Sequence, residues 1–191
     1  MVNKKVERWL KTGGLELLMS IGIEKGINVL DFGCGSGYFS IMISKVVGSS
    51  GKVYALDKSS KSLKNVERLA QKEGLKNIEI IKTEGGNEIP LGDNIVDFVL
   101  LYDVLHYVED REEIYEECHR ILKPDGILSI HPTHYNPGFV RKILNKGIKK
   151  DLDGIIEEVR ESGFVLEKKL RCNVLHYKSL EESTILNFKV R

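Results

Sequence analysis

The sequence predicts an α/β fold: a doubly wound, mostly parallel sheet with helices on both faces and an antiparallel edge formed by its C-terminal strands. Short apolar segments alternate with helical periodicity over residues 28–130, as in a parallel sheet built from β-α units. The segment Val96–Leu101 is apolar except at Asp97, which is typical of a strand buried on both faces. Two loosely alternating segments, Phe164–Arg171 and Ser183–Val190, then predict the antiparallel edge.

Local signals place the elements of the first half. Apolar residues at helical spacing predict an N-terminal helix over 3–20, loosened at Gly13-Gly14. Gly74 follows a helical segment and suits the position just after a helix, because glycine adopts positive φ without strain. In chain order, the sequence predicts strand 28–31, helix 37–47, strand 52–56, helix 60–73 and strand 77–81.

The second half follows from the same kinds of signal. Pro124–Gly126 is typical of a turn before a strand. Leu152, Ile155 and Val159 lie on one stripe of an amphipathic helix, which Gly163 ends. The predicted elements are strand 96–101, helix 112–121, strand 127–130, helix 151–162 and the final strands 164–171 and 183–190.

Length and charge limit the class of protein. At 191 residues, we expect a single domain over 1–191, with a helical segment at 1–24 and a substrate loop or cover at 132–150. The net charge of +1 supplies no field that favours nucleic acid, and no apolar run approaches the roughly 20 residues that span a bilayer. We therefore expect no membrane partner and, without a signal-like N-terminus, a cytoplasmic protein.

The most informative segment is Val29–Ser40. In it, an apolar strand ends at Asp31, and Gly33, Gly35 and Gly37 follow at alternate positions before a helical stretch. Glycines let the backbone approach a ligand closely, and the helix N-terminus offers N–H groups without intrahelical partners. This combination predicts a nucleotide-like ligand at the carboxyl end of the strand.

The glycine spacing favours one ligand over another. The run is one residue shorter than the dinucleotide fingerprint G-x-G-x-x-G, whose third glycine would fall at Tyr38. Asp31 would repel a pyrophosphate, whereas its carboxylate could hold an ammonium group. S-adenosylmethionine has an amino-acid end, a sulfonium and no phosphate, so the loop favours this cofactor over NAD. The alternative is a tight strand–helix turn with no ligand.

A second acid strengthens the ligand interpretation. Asp57 follows the predicted strand 52–56, roughly 20 positions beyond the glycine loop, where an acid is expected to bind ribose hydroxyls. It could instead cap the helix that begins near Ser59 or Ser60. Cys34 inside the loop and Lys58 beside Asp57 are included among the predicted cofactor contacts.

Four segments together resemble a known family. They are Val29–Ser40, Val53–Asp57, Asp97–Val108 and Leu122–Ile130. In these segments the chain resembles the class I, Rossmann-like S-adenosylmethionine-dependent methyltransferases, and is most similar to the ubiquinone/menaquinone-biosynthesis type. The resemblance implies a Rossmann-like methyltransferase fold and in-line transfer of a methyl group to a small-molecule acceptor.

The resemblance also implies two further cofactor contacts. Family members usually place an acidic or amide residue shortly before a Leu-Pro pair, where it contacts the adenine amino group. Alignment on Pro90 puts Gly85 at that position, so Glu84, one residue earlier, is assigned only through a shift of the loop. Tyr102 corresponds to a residue that lines the methionine part of the cofactor through its backbone.

The acceptor side is predicted at the carboxyl ends of the strands 96–101 and 127–130. His106 and His131 are the candidate catalytic bases, because neutral imidazole accepts protons near neutral pH. Asp103 is a possible orienting partner of His106. The residues Thr133, His134 and Tyr135 would shape the pocket. The alternative is that both histidines only pack the rim and that positioning alone carries catalysis.

Three functional classes follow, of which a small-molecule methyltransferase is favoured. A methyltransferase acting on tRNA or protein is the first alternative, for which the basic flank (Arg141, Lys142, Lys146, Lys149 and Lys150) would be needed. A non-catalytic cofactor-binding module is the second, because fold does not fix function. The three cysteines are widely separated and give no metal-ligand spacing, so we predict no metal.

Overall fold

A computed structural model of the protein describes residues 4–86, 88–133 and 152–191. The helices within these ranges are α1 Lys4–Lys11, α2 Gly13–Ser20, α3 Tyr38–Val47, α4 Ser60–Glu73, α5 Arg111–Ile121 and α6 Leu152–Glu161. The strands are β1 Asn28–Phe32, β2 Lys52–Asp57, β3 Ile78–Lys82, β4 Val96–Tyr102, β5 Leu122–His131, β6 Phe164–His176 and β7 Ser179–Val190. The predicted elements of residues 28–121 are found within two residues of their expected bounds.

The seven strands form one sheet in the order β3-β2-β1-β4-β5-β7-β6. The strands β1 to β5 are paired in parallel, and β7 is antiparallel to both β5 and β6. The predicted fold class is therefore confirmed. The chain runs outward from β1 in one direction and then in the other, so the crevice at the β1/β4 boundary is where such sheets bind ligands.

Helices cover both faces of the sheet. The helices α5 and α6 pack against one face through Ile114, Tyr115, Ile155 and Val159. On the other face, α1, α2 and α3 contribute a second apolar cluster, and α4 packs there against β2 through Leu63 and Val66. Strand β4 supplies side chains to both clusters, which explains why its residues after Asp97 are all apolar or aromatic.

The predicted helix 3–20 is divided at Thr12, whose φ of −134° is not helical. The division lies beside the expected weak point. A Cβ added at Gly14 would lie 2.4 Å from the sulfur of Met42 in α3, so α2 approaches α3 more closely than another residue would allow. The glycines therefore serve helix packing as well as loosening the helix.

The C-terminal strands are longer than predicted. Strands β6 and β7 extend to His176 and Ser179 and form one long hairpin, with Tyr177 at φ +51° in its turn. The segment between the predicted strands is mostly polar and gives little alternation, so pairing rather than sequence pattern extends the ladder. Strand β5 also begins earlier, at Leu122, and the predicted turn at 124–126 lies within its irregular register.

Part of the predicted acceptor region lies outside the described residues. This applies to 134–150 of the predicted cover, including His134, Tyr135 and the basic flank. Within the described ranges, no helix is long and apolar enough to span a membrane. The same ranges contain no cluster of three or more His, Cys, Asp or Glu residues that could hold a metal ion.

Candidate active site

The glycine loop between β1 and α3 forms a turn held by backbone contacts. The N–H groups of Gly33 and Cys34 both donate to the carbonyl of Leu56, at 2.8 and 2.9 Å. Gly35 has a φ of +48°, and a Cβ added there would have no neighbour closer than 3.7 Å. By contrast, a Cβ at Gly37 would lie 2.7 Å from Val66. The loop is therefore packed tightly against α4 at Gly37, whereas the space beside Gly35 is open and can hold a ligand.

Asp57 organises this loop from the end of β2. Its carboxylate accepts from the Gly35 N–H at 2.8 Å and from the Ser59 N–H at 2.7 Å. The N-cap of α4 is Ser59, whose hydroxyl accepts from the Ser62 N–H, so the alternative assignment of Asp57 as the cap is wrong. Each carboxylate oxygen retains a second acceptor site, which suits two ribose hydroxyls.

Asp31 is buried beneath the loop rather than exposed in it. Its residue exposure is 3%, and the Ser40 hydroxyl donates to its carboxylate at 2.5 Å. Burial raises the pKa of Asp31 to about 6, against the opposing effect of the bond from Ser40. The carboxylate supports the β1–α3 turn from below, and its contact with an ammonium group stays a prediction.

The other predicted cofactor residues differ in what they expose. The Cys34 side chain packs with Ala55, Leu63 and Val66. Burial raises the pKa of its thiol, so we expect the thiol to be unreactive. Lys58 is exposed beside Asp57. Glu84 follows β3 at the same edge, pairs with Lys82 at 2.5 Å and has a pKa lowered by that lysine.

The Tyr102 side chain is buried within the fold. Its hydroxyl bonds to the Ser129 hydroxyl at 3.0 Å inside the sheet, and its ring packs edge-on against Phe39 at 5.0 Å. Burial raises the pKa of the phenol, so this group does not serve as a base. The backbone contact of Tyr102 with the cofactor stays a prediction.

Asp103, immediately after β4, is the centre of a polar cluster. Its Oδ1 accepts from the Thr133 hydroxyl and lies 3.8 Å from His106 Nδ1, and its Oδ2 lies 3.4 Å from His176 Nε2. The side chains of Asp103 and His106 are 23% and 12% exposed. The structure thus places the predicted orienting carboxylate beside the predicted base His106.

His131, the second candidate base, is almost completely buried. Its residue exposure is 2%, its Nε2 lies 2.9 Å from the Ser183 hydroxyl, and its ring packs against Tyr102. Burial lowers the pKa of His131 to about 4. This environment favours the packing alternative for His131 and leaves His106 as the better-placed base.

His176 and Glu181 were missed as site residues by the sequence analysis. His176 Nδ1 lies 3.1 Å from Glu181 Oε2, and both residues belong to the tip of the β6–β7 hairpin. No local motif marks them, because their approach to Asp103 depends on the length and register of the hairpin. Only a prediction of both strands as far as the tip of the hairpin would have indicated that His176 approaches Asp103.

The fold, the glycine loop and the acid after β2 define a Rossmann-like class of proteins, the class I S-adenosylmethionine-dependent methyltransferases. The model of the methyltransferase domain family matches residues 23–181. The chain therefore belongs to the methyltransferase domain family. Membership confirms the predicted family and supports its cofactor, S-adenosylmethionine.

Individual relatives agree with this membership. The chain is 34% identical over 122 residues to a demethylmenaquinone methyltransferase of Geobacillus stearothermophilus, covering 63% of this chain and 49% of the relative. A demethylmenaquinone methyltransferase of Listeria monocytogenes is 36% identical over 128 residues, which are 66% of this chain and 51% of the relative. The chain thus spans about half the length of these curated relatives.

Structural similarity covers nearly the whole chain. The crystal structure of a SAM-dependent methyltransferase from Aquifex aeolicus superposes with a TM-score of 0.78 at 25% identity. The match covers 96% of this chain and 93% of the other. The likeness therefore includes the C-terminal hairpin as well as the segments that resemble the family in sequence.

Proposed function

We propose that the protein transfers a methyl group from S-adenosylmethionine to a small-molecule acceptor at the carboxyl edge of β4 and β5. The observation that carries this proposal is the contact between the two halves of the site. A Cβ added at Gly33, in the glycine loop, would lie 2.6 Å from Val104, the residue after Asp103. The cofactor loop and the polar cluster are therefore direct neighbours at the β1/β4 crevice.

The residues present fit the cofactor. The open side of Gly35 and the remaining acceptor sites of Asp57 suit a ribose, and Glu84 is the candidate contact for adenine. Asp31 would neutralise the ammonium group from below the loop. When bound, the cofactor supplies an electrophilic methyl group on a sulfonium, which is the difficult part of the chemistry. The protein then has to align the acceptor, exclude water and receive a proton.

His106 is the residue best placed to receive that proton. Its Nδ1 lies 3.8 Å from Asp103 Oδ1, so the nearby carboxylate favours that tautomer of the neutral ring which carries its proton on Nδ1. The Nε2 lone pair is then the one available to a hydroxyl of the acceptor. A base is required when the acceptor must lose a proton to become nucleophilic, as a phenolic compound does.

The rim of the cluster suits a planar acceptor. Two aromatic side chains, Tyr107 and Tyr177, are 64% and 62% exposed. Their rings lie next to the rings of His106 and His176, with centroid separations of 3.9 and 4.4 Å. Since the relatives are demethylmenaquinone methyltransferases, reduced demethylmenaquinone, a planar quinol, is the first acceptor to test.

The experiment measures S-adenosylhomocysteine formation with reduced demethylmenaquinone, with fractionated small-molecule extract and with total tRNA. We expect turnover with a small molecule and none with tRNA. Calorimetry with S-adenosylhomocysteine and with NAD provides the binding control. Binding of NAD without binding of S-adenosylhomocysteine would refute the cofactor assignment. Tight, salt-dependent retention of tRNA together with its methylation would instead favour the nucleic-acid alternative.

A further inference from the structure

The tip of the β6–β7 hairpin reaches the polar cluster around Asp103. His176 ends β6, and its two ring nitrogens face two different carboxylates: Nε2 lies 3.4 Å from Asp103 and Nδ1 lies 3.1 Å from Glu181. The His176 side chain is 11% exposed, whereas that of Glu181 is 53% exposed. A nearly buried imidazole therefore connects a carboxylate at the surface with the carboxylate beside His106.

The contacts on both sides of His176 orient its ring. The hydroxyl of Ser179 donates to Glu181 Oε1 at 3.1 Å, which fixes the outer carboxylate within the hairpin. Nδ1 is within hydrogen-bond distance of Glu181 and Nε2 is within ion-pair distance of Asp103, so each ring nitrogen faces one carboxylate. The hairpin thus presents Nε2 to Asp103 in a defined direction.

Asp103 depends on contacts of this kind. Its φ of +55° is uncommon for a residue with a Cβ, and its N–H donates to the His131 carbonyl at 3.3 Å. The Thr133 hydroxyl and His106 Nδ1 lie next to Oδ1 of Asp103, whereas His176 Nε2 lies next to Oδ2. Thr133 would still hold Oδ1, but loss of the His176 contact would release Oδ2 and let the plane of the carboxylate turn relative to His106.

We propose that His176 is a positioning residue for methyl transfer: it holds Oδ2 of Asp103 so that Oδ1 remains against Nδ1 of His106, and Glu181 holds His176. The inference rests on the proposed function through the role of His106 as base. The chain of contacts from Glu181 to His106 is nevertheless testable without turnover, by observing which nitrogen of His106 carries the proton.

Two substitutions separate positioning from simple packing. In His176→Gln, the amide nitrogen lies near the place of Nε2 and can still donate to Asp103. In His176→Asn, the shorter amide lies near the place of Nδ1 and retains only the Glu181 side. Arg171→Ala is the control, because Arg171 forms an exposed ion pair with Glu182 on the same hairpin.

The first measurement is single-turnover methyl transfer to reduced demethylmenaquinone. We expect His176→Asn to lower the rate about 10- to 100-fold, the scale of a small misplacement in a catalytic site. His176→Gln and Arg171→Ala should stay close to wild type. The affinity for S-adenosylhomocysteine should be the same in all four proteins, since both substituted residues belong to the hairpin and not to the glycine loop.

The second measurement is the nitrogen-15 spectrum of the histidine rings, which reports the tautomer of each. We expect His106 to carry its proton on Nδ1 in wild type and in His176→Gln, and to show a mixture in His176→Asn. Equal rates and unchanged His106 spectra in both variants would overturn the proposal. So would equal loss of rate in both with an unchanged His106 tautomer.

Failure of the proposed function gives a different pattern. If wild type methylates no acceptor while the His106 tautomer responds as expected, the positioning chain stands and the proposed reaction is wrong. If circular dichroism shows that the His176 variants do not fold, Glu181→Ala takes their place at an exposed position. An altered His106 tautomer in that variant supports the proposal, and an unaltered one overturns it.

Discussion

The cofactor side and the acceptor side of this site are built differently. On the cofactor side, backbone groups of one short loop meet one carboxylate: Asp57 accepts from Gly35 N–H at 2.8 Å. On the acceptor side, side chains from the β4–α5 connection, the end of β5 and the β6–β7 hairpin converge on Asp103. The first arrangement is specified within a short segment of sequence, whereas the second depends on the assembled sheet.

The largest expected effect tests the backbone nature of the cofactor side. Gly35→Val places a branched side chain at φ +48° and fills the open side of the loop, so binding of S-adenosylhomocysteine should be abolished. Calorimetry measures this directly. Gly74→Val is the control, because Gly74 also has positive φ, at +67°, but ends α4 with no neighbour within 4 Å. Gly74→Val should lower the stability and leave the binding of S-adenosylhomocysteine unchanged. Equal binding by both variants would contradict the proposal that the cofactor lies on the open side of the glycine loop.

The next effect belongs to the acceptor side. His106→Ala should lower the single-turnover methyl-transfer rate about 10²- to 10⁴-fold, because a general base is removed. Affinity for S-adenosylhomocysteine should not change. His131→Ala is the matched comparison: its ring is buried against Tyr102, so we expect loss of stability with most of the rate retained. If the two variants exchange these phenotypes, His131 is the base.

A smaller effect is expected for Asp57, whose carboxylate accepts from the glycine loop and is predicted to bind the ribose of the cofactor. Asp57→Ala should weaken binding of S-adenosylhomocysteine by about 1.5–3 kcal/mol, the scale of hydrogen bonds to a charged group. The loss combines the ribose contacts with the freed N–H of Gly35. Asp57→Asn keeps one acceptor oxygen and should lie between wild type and Asp57→Ala in a calorimetric titration. An affinity of Asp57→Ala equal to that of wild type would contradict the assignment.

The smallest expected effect is a change of folding stability with pH. Its sign is opposite for two buried groups, Asp31 on the cofactor side and His131 on the acceptor side. Asp31 has a folded pKa of about 6 against 3.8 for the free group, so its contribution is fully present below pH 3.8 and is lost as the pH rises through 6. His131 has a folded pKa of about 4 against 6.5, so the unfolded chain binds its proton first and stability falls as the pH drops from 6.5 towards 4. The two slopes largely cancel between pH 4 and 6.

Urea unfolding at several pH values separates these slopes. Between pH 4 and 6, Asp31→Asn should make the stability rise more steeply with pH, because only the His131 contribution remains. His131→Gln should do the reverse. Parallel curves for wild type and both variants would show that neither buried group is linked to folding.

Much of the cofactor side could be predicted from the sequence. The sequence predicts the positions of the glycine run after β1 and of Asp57 at the end of β2, because strand, turn and helix signals there are local; the two meet because β1 and β2 are adjacent in the sheet. The burial of Asp31 beneath Ser40 was not predictable in the same way, since it depends on how α3 packs against the sheet. The sequence thus predicts that Asp31 lies close to the ligand, but only the structure shows that the carboxylate is buried and bonded to Ser40.

The sequence by itself determined the fold class and the order of helices and strands along the chain, because periodicity and glycine spacing act over a few residues. Only the tertiary structure decided which polar residues meet on the acceptor side. His131 ends β5 and His106 lies shortly after β4, yet the first is buried and the second faces Asp103. His176 joins them because long-range strand pairing carries the hairpin tip to this edge, and no local signal in a sequence encodes the register of such a pairing.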